Sequence, residues 1–234
     1  MKQIDLNKYR ENCITRSHFL FRHLSDEEMM LLNEEIQISF HKRGSSIYHE
    51  GNRINGFYCM MEGIAKIYKT GIDGKEQIIR FAKMGEIIGF RSVLSQELAC
   101  TTAEVIEDAV TCYIPGNELF TIIKQNGNFA IELLKLSCRE LGEANSYITD
   151  IAQKTVRERL AEIIVQLYNE FGINNESVLQ ISLTREELAN IVGTATESVI
   201  RLLSEFRQDA LIDLNGRKIS ILNLAGLKRI GNVY

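Results

Sequence analysis

The stretch TREELANIVGTATESVIRLLSEFRQD, residues 184–209, has the most regular pattern in the chain. Thr184 is followed three residues later by Glu187, which is the spacing of a helix capping box. The same spacing recurs at Thr194 and Glu197. Because a capping box satisfies the first backbone donors of a helix, the stretch predicts two short helices that follow each other closely.

Both predicted helices carry their apolar residues on one face. Gly193 lies between them, where a left-handed backbone can end the first helix. The apolar positions at helical spacing are Leu188, Ala189, Val192, Val199, Leu202, Leu203 and Phe206. This pattern is typical of a helix-turn-helix, whose second helix enters the major groove of DNA. The alternative is an ordinary helical hairpin with an intrahelical pair between Glu197 and Arg201.

The exposed side of the second predicted helix offers side chains suited to reading bases. An arginine can donate a bidentate pair to guanine O6 and N7, and a carboxylate can accept from cytosine N4. Arg201 and Glu197 are four residues apart, so both can reach one groove. The predicted base-reading residues are Thr196, Glu197, Ile200 and Arg201.

A hairpin is predicted directly after these helices. Apolar residues on both sides of Asn215-Gly216 indicate two short strands around a tight turn, which would make this a winged helix. A further strand is predicted at 179–181. The candidates for contacts with DNA phosphates, which position a protein without reading sequence, are Thr184, Arg185, Thr194, Ser198, Arg207, Arg217 and Lys218.

Composition limits the classes of function. The chain has 234 residues and a formal net charge of −4, which argues against a highly basic, nonspecific DNA coat. It has no apolar run long enough for a membrane span and no signal-peptide pattern, so we expect a cytoplasmic protein. The cysteines are scattered without a CxxC pair, and we expect most of them to be small buried residues. They are Cys13, Cys59, Cys100, Cys112 and Cys138.

The N-terminal half has a different sequence pattern. Short alternating segments broken by glycine, from about residue 38 to 115, predict an antiparallel sandwich or barrel with room for one ligand. A break at Gly63 separates two of these predicted strands, 56–60 and 63–68. Before them, Ser25 and Glu28 have the spacing of another capping box.

A long helix with a heptad seam is predicted over residues 129–151. Its seam residues follow strict four-three spacing and are Leu134, Ser137, Leu141, Ala144, Ile148 and Ile151. Phe129, Leu133 and Leu136 lie off the seam and are predicted to pack on the sheet. A seam paired with its own copy would make a homodimer, which would place two reading helices on two half-sites. The alternative is a monomer whose seam packs within the chain.

Three segments carry a family resemblance: GIDGKEQIIRFAKMGEIIGF (71–90), VRERLAEII (156–164) and TREELANIVGTATESVIRLL (184–203). With the order of elements above, the chain resembles the Crp/Fnr family of bacterial transcription regulators over nearly its whole length. The resemblance implies an α+β fold with an antiparallel β-roll sensor domain of jelly-roll type at 1–127. A dimerisation helix at 128–152 and a winged helix-turn-helix at 153–234 would follow.

The resemblance also implies partners: double-stranded DNA, a second copy of the chain, and RNA polymerase. Glu197 and Arg201 would be the base-reading pair, on a half-site related to TTGA or TGTGA. Thr196 and Ile200 match neither the cyclic-AMP receptors nor the Fnr-like branch of the family, so the outer bases stay open.

The sensor pocket implied by the resemblance departs from the cyclic-nucleotide pattern. The implied positions are Gly89, Phe90, Arg91, Ala99, Cys100, Ala144 and Asn145. Ala99 and Cys100 replace an Arg-Ser pair, and Ala99 offers no side-chain donor to a phosphate. The pattern therefore disfavours cyclic AMP. It also disfavours an Fnr-type iron–sulfur cluster, because Cys13 is the lone cysteine of the N-terminal arm.

Other functions remain open at this point. A haem-based sensor of nitric oxide, carbon monoxide or redox state needs an axial ligand, and a cysteine, a methionine or one of four histidines could serve: His18, His23, His41 and His49. A cupin-like metal enzyme is disfavoured, because the chain lacks a close His-x-His pair. A protein-interaction dimer with a vestigial sensor is a third possibility.

Overall fold

The computed structural model describes residues 20–233, apart from the side chains of Leu31 and Asn33. The chain divides between Gly142 and Glu143 into two compact units. The elements of the first unit are α1 (Asp26–Glu35), β1 (Gln37–His41), β2 (Ser46–Tyr48), β3 (Gly56–Thr70), β4 (Glu76–Ala82), β5 (Ile87–Ile88), α2 (Phe90–Ser95), β6 (Thr102–Pro115) and α3 (Gly116–Gln125). Helix α4 (Gly127–Gln153) begins in the first unit and ends in the second.

The second unit continues with mostly helical elements. They are α5 (Val156–Phe171), α6 (Arg185–Val192), α7 (Thr196–Gln208), β7 (Ile212–Asn215), β8 (Lys218–Ile221) and α8 (Leu224–Gly231). Capping boxes begin α1 at Ser25, α5 at Thr155 and α6 at Thr184, each with a glutamate three residues on. The boxes predicted at Ser25 and Thr184 are therefore confirmed.

The strands of the first unit form an antiparallel sheet in the order β1-β6-β3-β4. Strand β2 also pairs with β6, and β5 with β3. The two long strands, β3 and β6, run antiparallel from the Gly56 and Pro115 pair to the Tyr68 and Thr102 pair. The sheet and the helices around it confirm the predicted α+β class with an antiparallel N-terminal domain.

Strand β3 is one continuous element, although the sequence predicted two strands divided at Gly63. Its pairing with β6 shifts register between Met60 and Ala65, so the strand bends without ending. Gly63 has a φ of 80°, and a Cβ there would lie 2.3 Å from the carbonyl oxygen of Asp108. Glycine is needed at this crossing because any side chain would collide with the neighbouring strand.

Two apolar clusters line the sheet. One joins it to the helices of the first unit and includes Phe57, Phe90, Leu119, Phe129 and Leu133. Leu136 packs against this cluster. The predicted off-seam packing of α4 on the sheet is therefore confirmed. The second cluster consists mainly of smaller residues, among them Ala65, Ala82, Ala99, Ala103 and Ala109.

The helix-turn-helix is formed by α6 and α7, and one predicted feature of it is wrong. Gly193 ends α6 with a left-handed backbone (φ 72°, ψ 53°), as expected. Helix α7 begins at Thr196 with Ala195 as its N-cap, and no side chain caps it. The predicted box of Thr194 with Glu197 does not form, because Thr194 is already part of the turn, with its backbone N–H donating to Ala189.

The wing hairpin is present, with a different turn from the one predicted. Asn215 pairs with Lys218, so the two turn residues are Gly216 and Arg217 rather than Asn215 and Gly216. Gly216 has a φ of 59°, which suits the first position of a glycine-led hairpin turn. The strand predicted at 179–181 is also wrong: there the chain makes isolated bridges, from Leu179 to Ile173 and from Val178 to Ser220.

Candidate nucleic-acid interface

The exposed face at the start of α7 carries the predicted base-reading residues. Glu197 and Arg201 are exposed, Ile200 is 51% exposed, and Thr196 is half-buried as the first residue of the helix. The opposite face of α7 is buried in the second unit through Val199, Leu202, Leu203 and Phe206. The helix therefore holds its polar N-terminal face outward by burying its apolar face.

Arg201 has an ion-pair partner that was not predicted, although its spacing of four residues fits a pair on one helix face. Its Nη1 lies 2.6 Å from Oε1 of Glu205, one turn further along α7. The alternative of an ordinary helical hairpin predicted a pair of Arg201 with Glu197 instead. The other oxygen of Glu205 lies 2.9 Å from Nη1 of Arg157 in α5. Glu205 thus joins the predicted reading arginine to the helix that supports the helix-turn-helix.

Two arginines of the segment VRERLAEII, which lies in α5, contact the two helices of the helix-turn-helix. Arg159 donates from Nε to the carbonyl oxygen of Val192 (3.0 Å) and from Nη1 to that of Lys154 (2.8 Å). It therefore satisfies a carbonyl at the end of α6, next to the turn. Arg157 pairs with Asp209 at 2.7 Å and lies over the ring of Phe206, 4.8 Å from its centroid. The sequence showed both arginines in a family motif without assigning them a role.

The phosphate candidates differ in their surroundings. Arg217 and Lys218 are exposed at the tip of the wing, while Thr194 and Ser198 are half-buried. Arg207 is paired with Asp213 at 2.9 Å, and this contact ties α7 to β7.

Thr184 and Arg185, at the start of α6, have structural partners. The Thr184 hydroxyl accepts from the backbone N–H of Glu187 as the helix cap. Arg185 donates from Nη2 to the carbonyl oxygen of Gly216 at 2.8 Å, which ties α6 to the wing turn. Burial lowers the pKa of Arg185 from its usual value, although a guanidinium remains charged at neutral pH. Bracing the wing is a role that sequence reasoning missed for Arg185.

In the first unit, the side chain of Arg91 points toward a carboxylate. Its Nε lies 3.3 Å from Oε2 of Glu140 on α4, and Nη2 of Arg80 lies 3.2 Å from the other oxygen. Arg80 also pairs with Glu86 at 3.2 Å. The Glu140 side chain is only 11% exposed. Glu140 therefore joins β4 and α2 to the long helix, and no local sequence pattern marked it.

The remaining residues of the implied sensor pocket lie in different surroundings. Gly89 precedes α2 with a φ of 82°, and Phe90 is buried in the apolar cluster shared with Phe57. Ala99 is buried as a member of the sheet's second cluster, and Cys100 is half-buried, 3.5 Å from Nη2 of Arg91. On α4, Ala144 and Asn145 are exposed and belong to the second unit.

The histidines proposed as haem ligands have ordinary surroundings where the structure describes them. Nε2 of His41 is hydrogen-bonded to the Thr111 hydroxyl (2.9 Å), and burial lowers the pKa of His41. His23 is exposed and accepts from Arg22, and His49 is exposed. Across residues 20–233, no three His, Cys, Asp or Glu side chains are grouped to hold a metal ion. Cys13 and His18 lie outside the described residues.

The predicted seam of α4 is largely exposed in the single chain. Leu134, Leu141 and Ile148 are 62–65% exposed and Ile151 is 40% exposed. Ser137 is half-buried, and its hydroxyl donates to the carbonyl oxygen of Leu133. None of the helices described is both long and apolar enough to cross a membrane.

Comparison with known proteins agrees with this architecture. The model of the cyclic nucleotide-binding domain matches residues 39–126, and that of the Crp-like helix-turn-helix domain matches residues 158–230. The chain belongs to the Crp/Fnr family of transcription regulators. Members of this family are regulators and not enzymes, so the metal-enzyme alternative is discarded.

Individual relatives of this Crp/Fnr protein are distant in sequence. Electron transport regulator A of Shewanella oneidensis is 28% identical over 197 residues, 81% of this chain and 78% of the relative. Transcriptional activator protein FnrA of Stutzerimonas stutzeri is 26% identical over 188 residues, 80% and 77% of the two chains. The structure of FixK2 from Bradyrhizobium japonicum shares the fold, with a TM-score of 0.74 and 21% identity over 83% of this chain and 96% of that one.

The buried cysteine of β3 gives a prediction about thiol chemistry. Cys59 is 3% exposed, and burial raises the pKa of its thiol to about 12. Its thiolate fraction at pH 8 is then about a thousandfold smaller than that of an ordinary cysteine. We expect iodoacetamide at pH 8 to leave Cys59 unmodified in the folded protein and to modify it in guanidinium chloride, as followed by peptide mass spectrometry. Rapid native labelling of Cys59 would contradict its burial.

Proposed function

We propose that this Crp/Fnr regulator is a homodimer that binds a palindromic DNA site of TTGA or TGTGA type under the control of an effector other than cyclic AMP. The observation that carries the proposal is the exposed face of α7, where Glu197 and Arg201 lie four residues apart on a helix with a buried opposite face. Arg201 would donate to guanine and Glu197 would accept from cytosine. Arg217 and Lys218 on the wing would contact phosphates.

The exposed seam of α4 supports the homodimer. Leu134, Leu141 and Ile148 place apolar side chains in water along one side of a 27-residue helix. Pairing with the same seam of a second copy would remove this surface from water. A two-fold dimer would then present two α7 helices to two half-sites of a palindrome.

The contacts of Arg91 and Arg80 support an effector other than cyclic AMP. Both guanidinium groups are engaged by Glu140, and Ala99 offers no donor to a cyclic phosphate. Because Glu140 lies on α4, an effector that disturbed these pairs would act on the helix that carries the seam. We infer that such a change shifts the dimer between two arrangements, of which one binds DNA. The name of the relative FnrA, a transcriptional activator protein, supports activation of transcription. From that role we infer RNA polymerase as a partner and the cytoplasm as the place of action.

Two measurements on the protein purified without oxygen test the proposal. Native mass spectrometry should show twice the 26.7 kDa chain, and any retained mass would identify the effector, including a haem. Fluorescence anisotropy should show that a duplex with two TTGA half-sites binds at least about a thousandfold more tightly than a shuffled duplex. A monomer, or equal affinity for the two duplexes, would contradict the proposal.

A further inference from the structure

Arg201 does not extend freely into solvent from α7. Its side chain is 67% exposed, and Nη1 lies 2.6 Å from Oε1 of Glu205. An arginine side chain has several rotatable bonds, so an unrestrained one must lose conformational freedom when it docks on a base. A partner that already restricts the guanidinium reduces that loss.

Glu205 is itself held in place from outside α7. Its second oxygen, Oε2, lies 2.9 Å from Nη1 of Arg157, a residue of α5. Arg157 is held in turn by an ion pair with Asp209 at 2.7 Å and by its position over the ring of Phe206. The Glu205 carboxylate therefore bridges two guanidinium groups: that of Arg201 at the predicted DNA-facing surface and that of Arg157 on α5. A surface pair within one helix would be weak, but a carboxylate anchored by a second cation is better oriented.

We propose that Glu205 is a positioning residue for base reading: it holds Arg201 in the orientation that meets guanine. This inference rests on the proposed function, because it needs Arg201 to be a reading residue. The pair uses only Nη1 of Arg201, and within residues 20–233 Nε and Nη2 have no hydrogen-bond partner. These two groups form one edge of the guanidinium fork, which remains able to donate a bidentate pair to O6 and N7 of guanine.

The test compares two duplexes: a palindrome with two TTGA half-sites, and the same duplex with the guanine of each half-site replaced by adenine. The measured quantity is the ratio of the two dissociation constants at fixed salt. We expect Glu205→Ala to reduce this ratio about three- to tenfold per half-site, a part of what one bidentate contact contributes. Glu205→Gln, which keeps an acceptor oxygen, should fall between Glu205→Ala and the unchanged protein.

Asp209→Ala provides a matched control. It removes the same charge from the same Arg157 cluster but has no contact with Arg201. Both alanine variants should strengthen nonspecific binding to a similar extent, because each removes a negative charge. Glu205→Ala should lower the ratio clearly more than Asp209→Ala, because Asp209 can act on Arg201 only through Arg157 and Glu205, and an equal loss in the two variants would overturn the inference. In an Arg201→Ala background, Glu205→Ala should have no further effect on the ratio.

The outcomes separate this inference from the proposed function. If Arg201→Ala lowers the ratio while Glu205→Ala leaves it unchanged or increases it, Arg201 reads the base without help from Glu205, and the inference is overturned. If Arg201→Ala itself leaves the ratio unchanged, the reading role proposed for Arg201 is wrong, and the inference is overturned with it. Circular dichroism of each variant confirms that the fold is retained.

Discussion

The double substitution Glu197→Ala, Arg201→Ala is expected to abolish sequence preference while leaving weak, salt-sensitive DNA binding. Both side chains are exposed on α7, so their removal should not disturb the buried face of the helix. Discrimination at each read base pair amounts to about 1–3 kcal/mol, and a palindrome contains every read pair twice. We therefore expect affinity for the specific duplex to fall by about a thousandfold or more, to the nonspecific level.

Charge makes this result easy to interpret. The double substitution removes one negative and one positive side chain, so the net charge of the chain does not change. Nonspecific attraction to phosphates and its dependence on salt should therefore be preserved. The matched control is Glu176→Ala with Arg229→Ala, which removes the same two charges at exposed positions away from α7. Anisotropy titrations at several salt concentrations measure both the sequence preference and the salt dependence of nonspecific binding. If the double variant still preferred the specific duplex, the residues that read bases would lie elsewhere.

Leu141→Glu is expected to convert the protein to a monomer. Leu141 is 62% exposed in the single chain, so the charge is tolerated there when α4 is alone. In a self-paired seam, two glutamates would face each other in an apolar interface, at a cost of several kcal/mol per unpaired charge. Sedimentation should then show a 26.7 kDa species, and affinity for the palindrome should fall at least about a hundredfold.

Arg139→Glu is the control for the seam. Arg139 is exposed on the opposite side of α4 from Leu141, two residues away in the chain. This substitution changes the charge by more than Leu141→Glu does, yet it should leave a dimer. A dimer in the Leu141→Glu variant would show that the seam is not the interface. A monomer in the Arg139→Glu variant would show that α4 pairs through its other side.

Local chemistry explains which elements could be predicted from the sequence. The capping boxes at Ser25 and Thr184, and Gly193 at the end of α6, depend on residues within a few positions of each other. The buried and exposed faces of α7 follow from helical periodicity in the same way. These signals were sufficient to predict the helix-turn-helix, which is one of the three segments that carry the family resemblance.

The errors arose where a local signal competed with tertiary packing. The spacing of Thr194 and Glu197 fits a capping box, but the turn after α6 places Thr194 one residue too early to cap α7. Gly63 was interpreted as a break between two strands. In the structure, the absence of a side chain at Gly63 lets β3 pass close to the carbonyl oxygen of Asp108 on β6.

By itself, the sequence determined the order of sheet, long helix and helix-turn-helix, the apolar faces of α6 and α7 and the residues that α7 presents, because periodicity and caps depend on contacts within one or two turns of chain. Only the tertiary structure decided which charges meet. Glu140 lies between Arg80 and Arg91, and Glu205 lies between Arg157 and Arg201. Three of these four pairs join residues 48 to 60 positions apart. Ion pairs over such separations leave no periodic trace, since they form only after the helices and strands have packed.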